Sequence, residues 1–351
     1  MVTTTGSPTK RRRRYRLMLV LAFALGIVSV LGWQAHDRDS AVRGFVRRHH
    51  WLKASARAVR DAVAPVPPAP YEGHTDDRSA LRTTGKPTLL IGYDVEGDAA
   101  TTKRFLGAAQ RIHTTHNAPC TLFVTGRALE RATADLQSLS RNPLFDIQQH
   151  TYSHVRFKPV VESANGITRF LDAEPVERIA EDVRHANRVF ERLLGRGCVG
   201  LTAPYGYYRG LSDRRDILSV LHDEGIRFCR SYLRNQDDWQ PVSFDVQPFT
   251  YAAQGFADVL EIPANGWQDC LWRDAHESWR DVEPWVAYVR GCLEEARRRK
   301  ATYGLLQHDW SSLRGDPELK GTEEIIVHAR RMGFRIMTHS QYYEEVMHTS
   351  A

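Results

Sequence analysis

The sequence predicts an α/β fold with a parallel sheet, closed into a β/α barrel, for the part of the chain after Lys86. Two observations support this prediction. Short apolar runs such as residues 88–93 have the composition of buried strands, and most are followed by stretches whose apolar residues recur at helical spacing. Polar residues also cluster directly after several of these runs, and in β/α barrels the chemistry collects at the carboxyl ends of the strands.

The predicted elements follow one another in regular alternation. The apolar runs predict strands at residues 88–93, 120–124, 145–149, 199–201, 226–231, 259–262, 303–306 and 334–338. Helical spacing predicts helices at residues 101–115, 128–141, 175–194, 213–224, 285–299 and 322–332, and a last helix from Ser340. Pro175 suits the first turn of its helix, because its missing backbone N–H needs no partner there.

The composition is that of an ordinary globular chain, and the net charge is concentrated at one end. Of 351 residues 42% are hydrophobic and 26% are charged, which excludes collagen-like, mucin-like and wholly disordered classes. The net charge is 48 − 42 = +6, and six basic residues with no acid among them precede Leu17: Lys10, Arg11, Arg12, Arg13, Arg14 and Arg16. The remainder sums to zero, which argues against a nucleic-acid partner, since phosphate neutralisation needs a basic surface.

Residues 17–33 form an uncharged apolar run that predicts a transmembrane helix. The run has about the minimum length for crossing a bilayer, and the basic residues before it place the N-terminus in the cytoplasm. We therefore expect a cytoplasmic tip (1–16), a single-pass membrane anchor (17–33), a juxtamembrane helix with a proline-rich linker (34–86) and an extracytoplasmic main domain (87–351). The alternatives are a cleaved signal peptide, which Trp33 disfavours because a small residue is needed there, and a buried core helix.

The segment between the anchor and the barrel has two parts. Apolar residues from Val42 to Val63 recur near helical spacing among arginines and lysines, which predicts a basic amphipathic helix, either on lipid headgroups or in solvent as a spacer. The proline-rich run at residues 65–70 ends this helix and acts as a semi-rigid spacer. The five cysteines have no C-x-x-C spacing, and three of them lie in strand-like runs. That favours buried thiols and leaves one or two disulfides open.

Four side chains after the first and third predicted strands have the chemistry of a catalytic metal site. Asp94 and Glu96 alternate onto one side of the first strand end. His150 and His154 follow the third strand, and if this segment turns helically, both imidazoles share one face. Glu96, His150 and His154 then supply three ligands and leave a fourth position for water, which is typical of catalytic zinc. The alternative is a pair of hydrogen-bonded structural histidines.

Later strand ends add polar and aromatic groups to the same rim. The turn predicted at residues 202–206 presents backbone N–H groups, among them that of Tyr205, that suit a developing oxyanion. Trp267 and Asp269 follow another strand, and His308 and Trp310 follow a third. Each segment alone is more typical of a plain loop, and it is their joint order along the chain that indicates a site.

These motifs together resemble the polysaccharide deacetylase family (NodB homology domain, a carbohydrate esterase type) between Lys86 and Thr338. The residues that carry the resemblance are Asp94-Val95-Glu96, His150 to His154, Ala203-Pro204-Tyr205, the Trp267 segment and Leu306-Gln307-His308. They are most similar to the branch that includes peptidoglycan deacetylase-like and allantoinase-like proteins. The resemblance implies a distorted (β/α)7 barrel. It also implies that residues 87–351 remove N-acetyl groups from a cell-envelope or extracellular polysaccharide with the help of a metal.

The resemblance implies a role for each of these residues. Asp94 resembles the catalytic base of the family and His308 its general acid. The family's metal ligands correspond to Glu96, His150 and His154. The backbone of Tyr205 resembles the oxyanion donor, and Asp269 is expected to orient His308. The residues expected to contact the sugar are Pro204, Tyr205, Trp267 and Trp310, whereas those expected to pack in the core are Trp272, Trp279 and Trp285. The expected metal is zinc, with nickel, cobalt or manganese as alternatives.

Two departures from the family pattern concern the first and third motifs. Val95 separates the two acidic residues, which are usually adjacent, so Glu96 has to reach the metal. Thr202 stands where an arginine usually tethers the base, and Arg209 is a candidate replacement. Thr202 slightly favours an alternative function, hydrolysis of a cyclic amide or imide, against which the membrane anchor argues. A second alternative is a non-catalytic glycan-binding pseudoenzyme, against which the complete residue set argues.

Overall fold

Strands and helices alternate along residues 81–164 and 167–348, the part of the chain that the computed structural model describes. The strands are β1 (Thr88–Val95), β2 (Cys120–Val124), β3 (Phe145–Gln149), β4 (Val160–Ala164), β5 (Ile167–Leu171), β6 (Gly200–Tyr208), β7 (Phe228–Arg234), β8 (Phe249–Tyr251), β9 (Phe256–Glu261), β10 (Thr302–His308) and β11 (Arg335–Met337). The helices are α1 (Ala99–Thr115), α2 (Gly126–Arg131), α3 (Thr133–Leu139), α4 (Val176–Leu194), α5 (Arg215–Asp223), α6 (Asp269–Ala275), α7 (Glu283–Arg299), α8 (Asp309–Gly315), α9 (Lys320–Arg331) and α10 (His339–His348).

Parallel strands form the barrel wall in the order β10-β1-β2-β3-β6-β7-β9. The short strand β11 pairs with the start of β1, and β8 lies antiparallel on β9. The two ends of this row meet, because Asn265, just after β9, donates its backbone N–H to the carbonyl oxygen of Gly304 in β10 at 3.0 Å. Gly304 permits the approach, since a Cβ there would collide with the carbonyl oxygen of Pro263. The predicted α/β fold with a mostly parallel sheet is confirmed, and it agrees with the (β/α)7 barrel that the resemblance implied.

Local sequence explains where the longer helices begin and end. Asp98 caps α1, its carboxylate accepting a hydrogen bond from the backbone N–H of Thr101 at 2.8 Å. Pro175 precedes α4, and Gly195 ends it in the left-handed conformation with φ of 74°. Strands β1 and β2 are buried along their whole length, as expected for parallel strands covered by helices. These strands therefore place their C-terminal residues at the barrel mouth without exposing the wall.

The structure differs from the predicted elements in three respects. The helix predicted at 128–141 is two helices, α2 and α3, because Ala132 between them has φ of −120°, outside the helical range. Strand β6 runs to Tyr208 rather than ending at Leu201, since its pairing with β7 resumes after a register shift. Five short elements were not predicted, because an element of only a few residues is too short to show a clear apolar periodicity. They are β4, β5, β8, α6 and α8.

The predicted tip, transmembrane helix and most of the linker, up to residue 80, lie outside the described residues. Within residues 81–164 and 167–348, no helix has both the length and the apolarity needed to cross a bilayer. All five cysteines lie in these ranges as free thiols; Cys270 is half-buried and the others are buried. The disulfides that the sequence left open are therefore not formed.

One buried histidine of α1 is held in its neutral form. His113 is fully buried, its Nδ1–H donates to the carbonyl oxygen of Ala118 at 2.7 Å, and its Nε2 accepts from the Tyr93 hydroxyl at 2.9 Å. Both ring nitrogens are used by the uncharged imidazole, and burial lowers the pKa of His113 from 6.5 to about 4. The unfolded chain therefore binds a proton at this residue at higher pH than the folded chain does.

Acidification from pH 6.5 to pH 4 is expected to reduce the free energy of unfolding by about 3 kcal/mol through His113 alone. Stability falls as the pH falls through this window, because the unfolded state takes up the proton first. Urea unfolding of the full-length chain at a series of pH values measures the effect. His113→Gln has no proton to gain, so it should be less stable near neutral pH and lose less stability on acidification. An unchanged slope in this variant would contradict the assignment.

Candidate metal centre and active site

The backbone just after β1 is fixed by an aspartate from near the other end of the chain. Asp309, the first residue of α8, accepts hydrogen bonds from the backbone N–H of Glu96 at 3.4 Å and of Gly97 at 3.2 Å, and from the Thr102 hydroxyl at 2.7 Å. Glu96 is therefore presented from a constrained loop. Strand β1 pairs with β10 so that Asp94 lies opposite His308, which brings two residues far apart in sequence to one point of the barrel mouth.

The two histidines after β3 lie on an irregular turn, so the helical turn considered in the sequence analysis is wrong. Thr151 and His154 have φ of 59° and 65°, values that no right-handed helix contains. Asp182 of α4 stabilises the turn by accepting the backbone N–H of Ser153 at 2.9 Å and its hydroxyl at 2.5 Å. The imidazoles of His150 and His154 nevertheless converge, with ring centroids 4.8 Å apart.

Glu96, His150 and His154 come together as the sequence predicted. The Oε2 atom of Glu96 lies 3.4 Å from His150 Nε2 and 3.0 Å from His154 Nε2. One ligand atom from each residue lies within 4.8 Å of the others. The Nδ1–H of His150 donates to the carbonyl oxygen of Thr202 at 3.0 Å, which fixes the ring and leaves Nε2 facing Glu96. The three side chains therefore direct their donor atoms at one point.

The charges around this point favour a cation. Burial raises the pKa of Glu96, but hydrogen bonds from His150 and His154 outweigh burial and hold that pKa well below its usual range. Burial has the opposite effect on a histidine and lowers the pKa of His150, but Asp94 and Glu96 raise that pKa above its usual value. An ionised carboxylate and two imidazoles, one of them oriented by a backbone carbonyl, fit the donor chemistry of a divalent metal such as zinc.

Asp94 is paired with an arginine that the sequence analysis missed. Arg230 of β7 is fully buried, and its Nη2 atom contacts Asp94 Oδ1. The Nε–H of Arg230 donates to the Thr202 hydroxyl oxygen at 3.0 Å, and the two residues are direct partners in the β6–β7 register. The tether expected at Thr202 therefore comes from the facing position on the next strand. The run 226–231 contains two arginines, Arg227 and Arg230, and the sequence alone does not show which of them faces Asp94.

The barrel interior is shaped around Arg230. Its guanidinium lies over the Phe123 ring, 4.3 Å from the centroid. Gly92 of β1 leaves room for it, since a Cβ there would collide with Arg230 Nη1. Arg209, suggested from sequence as the replacement tether, instead lies over the Tyr208 ring at 5.7 Å from the centroid. That suggestion is wrong, because Arg230 already occupies the space beside Asp94.

His308 ends β10 and is held by Asp269. The Nδ1 of His308 lies 2.6 Å from Asp269 Oδ1, and its Nε2 lies 4.0 Å from Asp94 Oδ2. Asp269 also accepts the Ser312 hydroxyl at 3.3 Å. Burial lowers the pKa of His308, but Cys270 and Asp269 raise it well above its usual value. Burial raises the pKa of Cys270, so its thiol is uncharged near neutral pH and the carboxylate of Asp269 is the partner that matters.

Tyr205 lies in a kink inside β6 rather than in a turn after the strand. Its φ is 67°, and the β6–β7 register shifts between Thr202 and Tyr207, which is the signature of a bulge. The Tyr205 ring lies 4.9 Å from the His154 ring, so the kink adjoins the candidate metal ligands. Pro204 is buried, and its side chain is therefore withdrawn from any sugar.

Two tryptophans are placed differently from expectation. Trp267 is buried and packs edge-to-face on Trp239, with centroids 6.0 Å apart, so it belongs to the core and not to a sugar-binding surface. Trp279, expected in the core, is half-buried and lies roughly parallel to Trp310 at 6.0 Å. Trp310 itself is half-buried, and its indole N–H donates to Glu96 Oε1 at 3.0 Å. Trp310 is thus placed beside Glu96, a candidate metal ligand, and its expected contact with a sugar stays a prediction.

An open cavity of about 340 Å³ lies against these groups. The residues that line it are Glu96, Thr125, Arg127, Arg131, Tyr152, Ser153, His154 and Trp310. Asp94, His150 and His308 do not line it, and each is less than a tenth exposed. A ligand in the cavity would reach Glu96 and His154 from solvent, and Glu96 in turn lies 3.4 Å from the buried His150.

The fold and the site define a β/α-barrel protein whose strand ends carry a Glu-His-His donor set beside a buried aspartate and a buried histidine. Residues 82–227 match the family model for polysaccharide deacetylase. The resemblance drawn from the motifs is therefore confirmed over these residues, which are similar to the polysaccharide deacetylase family. No curated protein sequence matches the chain.

Solved structures share this fold at low sequence identity. A candidate polysaccharide deacetylase from Mycobacterium smegmatis is 18% identical, with a TM-score of 0.57, over 77% of this chain and 94% of that one. Puue allantoinase is 10% identical, with a TM-score of 0.55, over 82% of this chain and 99% of that one. At these identities the likeness shows a common architecture, and the chemistry has to be argued from the site.

Proposed function

We propose that this protein is a metal-dependent hydrolase that removes N-acetyl groups from a cell-envelope or extracellular polysaccharide. The observation that carries the proposal is the convergence of Glu96, His150 and His154 beside a buried carboxylate and a buried imidazole. A divalent metal held by these three residues, zinc first among the candidates, would supply Lewis-acid polarisation of the substrate carbonyl and of water. The match of residues 82–227 to the polysaccharide deacetylase family model supports the same class of reaction.

Asp94 is the proposed base that takes a proton from the attacking water. Its Oδ1 atom is occupied by Arg230, which compensates the buried negative charge and fixes the carboxylate plane. The other oxygen, Oδ2, lies 3.9 Å from His150 Nε2 and 4.0 Å from His308 Nε2. Oδ2 is therefore the atom that faces the metal ligands, and a proton taken up there stays within reach of the acid.

His308 is the proposed acid that protonates the departing amine. An amine leaves poorly as an anion, so a proton has to reach the nitrogen as the carbon–nitrogen bond breaks. Because Nδ1 is engaged by Asp269 at 2.6 Å, Nε2 is the atom that carries the transferable proton toward Asp94 and the substrate. The raised pKa of His308 keeps this proton in place near neutral pH.

Tyr205 and Trp310 are the proposed groups around the reacting acetamide. The kink in β6 brings the Tyr205 backbone beside His154, where its N–H is proposed to donate to the tetrahedral oxyanion. The Tyr205 ring and the half-buried Trp310 ring offer flat faces to a sugar. Trp267 and Pro204 are buried, so we leave them out of the contact set. The predicted membrane anchor would hold this site next to envelope polysaccharides.

Acetate release from N-acetylated glycans by the full-length chain tests the proposal. We expect release to stop when a chelator removes the metal and to return when zinc, cobalt or nickel is added. His154→Ala should lower release by about tenfold or more at stoichiometric metal and recover in part with excess metal, because it weakens metal affinity. The matched control is His185→Ala, which removes an imidazole that stacks on Tyr152 at 3.8 Å and should keep activity. Release that survives in both His154→Ala and His308→Ala would contradict the mechanism.

Hydrolysis of a cyclic amide or imide is less well supported by the structure. Its support in the sequence was the missing arginine at Thr202, and Arg230 supplies a guanidinium to Asp94 from the facing strand position. Cyclic amides assayed beside the glycans separate the two functions, since ring opening without acetate release would favour the alternative. A protein that binds glycan but purifies without metal and releases no product would be a pseudoenzyme.

A further inference from the structure

A cysteine next to the proposed acid takes no part in the mechanism above. Cys270 is the second residue of α6, directly after Asp269, and it is half-buried while the other four cysteines of the described residues are buried. A ligand atom of each of Asp269, Cys270 and His308 lies within 4.8 Å of the other two. The backbone N–H of Cys270 donates to Asp269 Oδ1 at 2.8 Å, so the thiol is carried on the same rigid corner as the carboxylate.

We infer that Asp269, Cys270 and His308 form a second zinc site, separate from the Glu96 centre, and that zinc bound there inhibits the enzyme. A thiolate, an imidazole and a carboxylate are the three ligand types that tetrahedral zinc uses in proteins, and a water completes the set. The thiolate selects zinc or cobalt over magnesium, calcium and manganese, which prefer oxygen ligands. The two negative ligands balance the charge of the divalent ion, as a poorly solvated location requires.

Zinc at this site disables the proton donor that the proposed mechanism needs. The Nδ1 of His308 now shares its hydrogen with Asp269 at 2.6 Å, and its Nε2 faces Asp94. An ion that takes Nε2 occupies the donating atom itself. An ion that takes Nδ1 displaces the Nδ1 proton and breaks the Asp269 contact, so the remaining Nε2–H belongs to a metal-bound neutral imidazole, a far weaker acid than the imidazolium. In either geometry His308 loses its strength as a proton donor. This inhibitory consequence rests on the proposed function, whereas the binding of a second ion does not.

The two sites differ in a property that spectroscopy can read. The Glu96 centre contains one carboxylate and two imidazoles, and no sulfur. Cobalt bound at the second site has a thiolate ligand, so it produces a sulfur-to-cobalt charge-transfer band in the near ultraviolet that cobalt at the first site does not produce. Metal content and this band therefore test the second site without any measurement of activity.

The binding experiment titrates the full-length chain with cobalt and with zinc. We expect two ions per chain, with the charge-transfer band appearing as the second is bound. Cys270→Ser should remove the band and the second ion but keep the first. His154→Ala should weaken the first site and keep the band. The control is Cys292→Ser, which removes a buried thiol of α7 and should change neither. A band that persists in Cys270→Ser, or a chain that binds one ion only, would overturn the inference.

The inhibition experiment measures acetate release against zinc concentration. In the unaltered chain release should rise as the first ion binds and then fall by about 10²-fold or more as the second binds, since an acid contributes at least that factor. Cys270→Ser should keep the maximal rate and need about 10–100-fold more zinc for the same fall. Equal inhibition of Cys270→Ser would exclude the inhibitory role. A band without any acetate release would keep the second site and reject the proposed function.

Discussion

Asp269→Asn is expected to lower acetate release by about 10²–10⁴-fold, the range that acid catalysis contributes, with the metal bound by Glu96, His150 and His154 retained. The carboxylate of Asp269 holds His308 Nδ1 at 2.6 Å and accepts the His308 backbone N–H at 3.1 Å. An amide cannot balance the charge of an imidazolium. Its N–H₂ group can also turn toward Nδ1, which would put the proton of a neutral ring on the wrong nitrogen.

The pH profile distinguishes this role from a structural one. The pKa of His308 is raised well above its usual value despite burial, and near neutral pH Asp269 is the negative partner responsible. Acetate release is expected to fall as the pH rises through that pKa, because the proposed acid has then lost its proton. Without the carboxylate the pKa is lower, so the alkaline limb of the profile of kcat/KM should move to lower pH. Ser312→Ala removes only the 3.3 Å hydroxyl contact to Asp269 and should leave the limb in place. An Asp269→Asn variant with an unshifted limb would contradict the assignment.

Arg230→Thr is expected to lower acetate release by roughly 10²-fold and to reduce the free energy of unfolding by about 3–5 kcal/mol. Arg230 is fully buried, and its loss leaves the Asp94 carboxylate without the charge that compensates it. The carboxylate would then take up a proton or shift, and in neither state does it serve as a base. Acetate release and urea unfolding of the full-length chain measure the two effects separately.

Two double variants separate catalysis from stability at this pair. Positions 202 and 230 face each other on β6 and β7, so Thr202→Arg with Arg230→Thr presents a guanidinium to Asp94 from the adjacent strand. Acetate release by this double variant should be at least about tenfold higher than release by Arg230→Thr alone. Asp94→Asn with Arg230→Met removes both charges, and it should recover stability but not activity. An Arg230→Thr variant with full activity would show that Asp94 needs no tether.

Much of the candidate site could be predicted from sequence because parallel strands impose a simple rule. Strands that alternate with helices point their C-terminal ends to one side, so residues directly after them meet at the barrel mouth. Asp94, Glu96, His150 and His308 follow this rule, and each lies within one residue of the end of its strand. The rule requires only the order of elements, which apolar periodicity reveals.

Other contacts were missed because they depend on how neighbouring strands and side chains approach each other. The tether of Asp94 depends on the lateral register that places Arg230 against Thr202, and no pattern within one strand shows that register. The burial of Trp267 depends on Trp239, a partner from a separate loop. The kink at Tyr205 depends on a bulge against β7. A single sequence carries the residues for these contacts but not the distances between them.

The sequence by itself determined the alternation of strands and helices, the polysaccharide deacetylase motifs and the identity of the metal-ligand candidates. Tertiary structure alone decided which arginine compensates Asp94 and which thiol lies beside His308. The physical reason is the range of the forces involved. Periodicity records which face of each segment avoids water, a local property of the chain. The pairing of buried charges is decided by a few ångströms of approach between segments far apart in sequence, after the barrel has closed.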